Sequence, residues 1–172
     1  MPPATLSRRV LIAAAAALAV PIRAGAALPE PAGPVVLTVT GMLTRPNAAA
    51  SAVFDDRMLG AMPQVAFETA TLWTERQHFA GPSLRAVLAA AGAGPGRIEA
   101  LALNDYRAPI DRALIEAESP IIARRIDGRP FGVRERGPLW IVFPFDDRRE
   151  LRHGAVYMQC VWQLRALRIG DG

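Results

Sequence analysis

Leu139 to Phe143 is an unbroken apolar run. Successive side chains of a strand point to opposite faces, so this run is apolar on both. It is expected to be a central, buried strand, and the chain must place a hydrophobic layer on each side of it. One helix is equally clear. Leu84, Val87, Leu88 and Ala91 recur at i, i+3, i+4 and i+7, a single apolar stripe. Gly81 and Pro82 are read as its opening, with proline in the first turn, and Gly92 as its close.

The other segments are short. Val35 to Val39 alternates into a strand closed by Gly41, and Val65, Phe67 and Thr69 share one face of another. Residues 44–52 read as a loop. Asp55 or Asp56 is placed to cap a short helix running to Met62, before Pro63. Ile98 to Leu103 is a strand, Asn104-Asp105 a turn, and Tyr106 to Ile110 a short strand; Asp111 caps a brief helix. Ile121 to Ile126 extends into the hairpin signal Asp127-Gly128. Residues 146–153 are a charge run. Met158, Cys160, Trp162 and Leu164 fall on one face of a last strand continuing to Ile169. Strands and short helices alternate without a regular βαβ rhythm, so the expected class is α+β.

Residues 1–26 have the layout of an export signal. Arg8 and Arg9 precede an apolar run from Val10 to Val20, and Ala24-Gly25-Ala26 supplies a cleavage pattern. The run stops short of the roughly 20 residues that span a bilayer. Ser7-Arg8-Arg9-Val10-Leu11 also resembles a twin-arginine signal. Residues 27–34 read as a proline-rich linker, and 35–170 as one domain. The expected location is the periplasm, with no membrane anchor after cleavage. The formal charge of +4 includes Arg8, Arg9 and Arg23, so the mature part carries only +1. That balance gives no nucleic-acid surface. Cys160 is the sole cysteine, and His78 and His153 the only histidines. One cysteine forms no internal disulfide, and two isolated histidines make no metal-ligand cluster.

The ordered segments VAFETATLW, FAGPSLRAVLAAAG, LNDYRAPI, IIARRIDGRPFGVRERGPLWIVFP and CVWQLRALRI resemble the oxidoreductase molybdopterin-binding domain of the sulfite-oxidase type. The similarity runs over about residues 35–169. It implies a mostly β core with short peripheral helices and a cleft for molybdopterin. Residues 65–69 match the strand that ends, in the family, at a molybdenum-binding cysteine. Here that position is Thr69, and Ala70-Thr71 replace a glycine and an asparagine. A neutral hydroxyl does not replace a soft thiolate. Trp140 stands where the family has an arginine, and the family's later glycine-lysine segment has no counterpart because the chain contains no lysine.

The resemblance marks Thr69, Trp73, Asp105, Tyr106 and Trp140 as the candidate cleft, with no catalytic residue and no metal ligand assigned. Thr69 also reads as a packed strand end, Trp73 as a cover for the core edge, and Asp105 as turn chemistry. Asn104 favours the turn reading. Cys160 reads as a small buried hydrophobe, His78 and His153 as surface residues. Arg124, Arg125, Arg129, Arg134 and Arg136 suggest an anion-binding patch. Strand alternation sends Arg124 and Arg125 to opposite faces, so a solvated hairpin rim is preferred. Two functions are therefore expected: an exported non-catalytic binding or sensory module, with a periplasmic or membrane protein partner, or a molybdopterin-dependent oxidoreductase acting on sulfite or methionine sulfoxide.

Overall fold

Three β-sheets surround the apolar run that the sequence places at the centre. The structure, a computed structural model, describes residues 27–170; the expected export signal lies outside them. β1 (Val35–Gly41), β2 (Ser51–Asp55), β5 (Ile98–Ala102), β6 (Arg107–Ile110) and β10 (Leu164–Ile169) form a five-stranded sheet in the order β2-β1-β10-β5-β6. Its only parallel pair is β1 with β10, with Thr38 opposite Ala166. β3 (Gln64–Thr69), β4 (Gln77–Pro82) and β8 (Arg125–Ile126) form a second sheet. Between them lies a two-stranded ladder of β7 (Ile121–Ala123) and β9 (Trp140–Val142), with Ile122 opposite Ile141.

The ladder divides two hydrophobic cores. Leu139, Ile141, Phe143 and Ile122 enter the core shared with the five-stranded sheet. Trp140, Val142, Ile121 and Ala123 enter the other, with Phe79 and Phe131. The run from 139 to 143 is thus buried on both faces, as its composition requires, and the class is α+β with few short helices. Helix α1 (Asp56–Ala61) is capped by Asp55, whose carboxylate accepts from Met58 N at 2.7 Å. Helix α2 (Leu84–Ala91) buries Leu84, Val87, Leu88 and Ala91 and ends on Gly92 at φ 65°. Each such leucine or valine taken fully from water contributes about 1.5–3 kcal/mol.

Several boundaries differ from those expected. Ser51 and Ala52, read as the end of a loop, begin the strand Ser51–Asp55, whose alternating Ala52 and Phe54 are buried in the core. Gly81 and Pro82 close β4 instead of opening α2: Pro82 pairs opposite Gln64, and Ser83 caps the helix by accepting from Ala86 N at 3.2 Å. His78 accordingly sits on a strand, exposed. The final strand begins only at Leu164, since a short helix α3 (Gly154–Tyr157) and Gln163 at φ 52° interrupt extended backbone before it. Residues 27–34 have no regular structure and run along the body, where Ala32 N and Gly33 N donate to Asp55 Oδ2 at 2.8 and 2.9 Å. Arg124 and Arg125 grip one carboxylate, Asp56, with contacts of 2.5 and 3.0 Å. Strand alternation does not separate them, because Arg124 falls at the junction where the chain leaves β7 for β8.

Gly81 lets β4 pass the central ladder. A Cβ there would lie 1.9 Å from the carbonyl oxygen of Ile122, so backbone must move to admit it. Gly81→Ala is expected to cost about 3 kcal/mol or more, the upper range for overpacking. Urea denaturation measures this; a loss below about 0.5 kcal/mol, the scale of a neutral surface change, would show that the close approach is not needed.

Candidate functional site

Two cavities are each lined by tryptophan, one by Trp73 and Trp162 and the other by Trp140. The connection from β3 to β4 supplies the first wall. Thr71 Oγ1 accepts from the backbone N–H groups of Trp73 and Thr74, both at 3.1 Å, a hydroxyl turn that holds Trp73 in place. The Trp73 ring lies 6.1 Å from that of Trp140, tilted by 59°. Phe79 meets the other side of Trp140 edge-on at 5.6 Å. These offset geometries suit the charge distribution of aromatic rings.

On the Trp73 side is an apolar cavity of about 220 Å³. Trp73, Tyr106, Tyr157 and Trp162 supply its aromatic wall; Ala102, Asn104, Met158 and Cys160 complete it. Tyr106 is held by its hydroxyl, which donates to Met158 O at 3.0 Å, and by its backbone N–H, which donates to Asn104 Oδ1 at 3.2 Å. Burial raises the Tyr106 phenol above its ordinary pKa, with a further push from Cys160. At the mouth, Trp73 and Tyr106 remain 36% and 37% exposed, and Met158 58%. A ligand would cover these apolar faces.

On the Trp140 side is a polar cavity of about 440 Å³. Arg129, Arg134 and Arg136 line it, with Gln77, Asp127 and Glu135. The Arg136 guanidinium stands 5.9 Å from the centre of the Trp140 ring, within cation–π range. The arginines converge because the chain curls: Val133–Glu135 is one turn of 3-10 helix, followed by Arg136 at φ 72°. Strand logic applied to 124–136 misses this bend, and nothing in the spacing singles out Gln77.

The five expected cleft residues separate. Trp73 and Tyr106 share the apolar cavity, and Trp140 lines the polar one. Asp105 lines neither; it occupies a left-handed turn at φ 64° and pairs with Arg165 at 2.7 Å. Asn104 serves the turn and the apolar cavity together. Thr69 is fully buried and lines neither cavity. Its hydroxyl accepts from Asp146 N at 3.1 Å and donates to Ala70 O at 3.2 Å. Asp146 in turn accepts from Ala70 N at 3.3 Å and pairs with Arg152 at 2.5 Å.

This donor set does not fit molybdenum. The Thr69 hydroxyl, at the position that the sequence resemblance matches to a thiolate, is committed to backbone partners. Cys160 is buried, and burial pushes its thiol up to about 12 despite an opposing hydrogen bond from the Phe143 backbone. Among the described residues, no group of three His, Cys, Asp or Glu side chains is placed to hold a metal ion.

The raised thiol pKa has a defined sign. The unfolded thiol ionises near pH 8.5, so its contribution to stability is complete below that value and is lost as pH rises toward 12. At pH 9 the native protein should resist iodoacetamide, and urea-unfolded protein should react; equal rates in both would contradict a buried, protonated Cys160. No protein-family model matches the chain, and no curated protein matches it.

Proposed function

We propose that the chain is an exported, non-catalytic binding module on a scaffold of the molybdopterin-binding-domain type, and that its aromatic cavity takes a small planar ligand. The observation that carries this reading is the convergence of Trp73, Tyr106, Tyr157 and Trp162 on one cavity large enough for a ring system. Small-molecule sites are typically concave and apolar with a few placed polar groups; Asn104 and the Tyr106 hydroxyl supply those here. Cys160, the thiol on the wall of this cavity, is kept protonated by burial, which supports binding over a thiolate-held metal. No helix among the described residues is long and apolar enough to cross a membrane. The exposed Leu72, Trp73 and Met158 beside the cavity suit a periplasmic or membrane protein partner that reads whether it is filled.

Tryptophan fluorescence tests the reading, since Trp73 and Trp162 both line the cavity. Indole analogues would overlap the signal, so pterin and p-cresol are the better probes. At least one should quench saturably, and Tyr106→Ala should weaken that binding about tenfold, the equivalent of 1.4 kcal/mol. Quenching that stays linear with both probes, or is indifferent to Tyr106→Ala, would refute the assignment.

A further inference from the structure

The polar cavity beside Trp140 holds features that the aromatic site does not use. Trp140 is fully buried, yet its indole N–H has no hydrogen-bond partner. Gln77 Oε1 is also buried and unpartnered, and the two residues line the same cavity. Buried polar groups are nearly always paired, so a donor and an acceptor left open in one place need an explanation. Three guanidinium groups surround them. Arg129, Arg134 and Arg136 have no ion-pair partner among the described residues, which is true of several other arginines; what distinguishes these three is that they line one cavity.

We propose that this cavity binds a small carboxylate that also carries an N–H donor, such as an N-acylated amino acid. The arginines and the Trp140 indole supply donors for the carboxylate, with guanidinium geometry suited to two-point contact. Gln77 Oε1 accepts from the ligand N–H. Two carboxylates also line the cavity, each with one oxygen engaged: Asp127 accepts from His78 N at 3.1 Å, and Glu135 from Gly132 N at 3.0 Å. They offset much of the positive charge. A multiply charged inorganic anion is therefore matched less well than a singly charged acid with a donor of its own. The proposal stands apart from the aromatic site, and Tyr106→Ala leaves it intact.

The chain has three tryptophans, so its proton–nitrogen spectrum contains three indole signals, and Trp140→Phe assigns one of them. Titration at low ionic strength uses N-acetylglycine, acetate and methylammonium. N-acetylglycine should move the Trp140 signal downfield and saturate, acetate should bind more weakly, and methylammonium should leave it in place. The Arg129→Ala/Arg134→Ala double variant should weaken N-acetylglycine binding about tenfold or more, the scale of losing one charge-assisted hydrogen bond. Both side chains are exposed, so the fold should survive. The proposal fails if the Trp140 signal never moves. It fails if that signal already sits at a hydrogen-bonded position without ligand, which would indicate an internal water. It fails equally if acetate matches N-acetylglycine, or if the double variant binds like the parent.

Discussion

Strand β9 has no polar face, and the architecture of the site follows from that. Its side chains must be buried in both directions, so layers close over it from each side. Ile141 and its neighbours Leu139 and Phe143 anchor the larger core, while Trp140 points into the smaller one. Trp73, Phe79 and Arg136 complete its packing. That ring lines the polar cavity and lies against Trp73, which lines the apolar one. Among the described residues, its indole N–H and Gln77 Oε1 are the buried side-chain polar atoms left without a partner.

Thr69 is a buried hydroxyl whose surroundings use it for structure. At the end of β3 it is sealed beneath the 145–146 segment, and its hydroxyl joins two loops far apart in sequence. A hydroxyl suits that task, since it donates and accepts at once. With full burial and both of these bonds made, the hydroxyl faces neither cavity. The aromatic cavity, with tyrosine and tryptophan at its mouth, is instead fitted to dispersion and stacking.

What the sequence reveals is governed by how local each signal is. The stripe from Leu84 to Ala91 and the run from Leu139 to Phe143 are legible because periodicity and burial coincide in them. Asp55, Asp111 and Asp127-Gly128 are legible because caps and tight turns are local chemistry. Pro82 is not, since a Gly-Pro pair ends a strand as readily as it opens a helix, and only pairing with Gln64 decides. Met158 to Gln163 looks extended by alternation, but a helical turn before it and a left-handed residue within it set its path. Of the site, Trp73, Tyr106 and Trp140 are marked by resemblance. Gln77 and the convergence of three arginines arise from tertiary bends that no spacing encodes.

Native mass spectrometry with molybdenum analysis, on the full chain expressed in a host that makes molybdopterin, tests most directly whether the cleft binds organic ligands without a protein-held metal. The expected result is the chain, alone or with a small organic adduct, and molybdenum far below one atom per chain. A stoichiometric molybdopterin adduct that survives gel filtration would contradict the account.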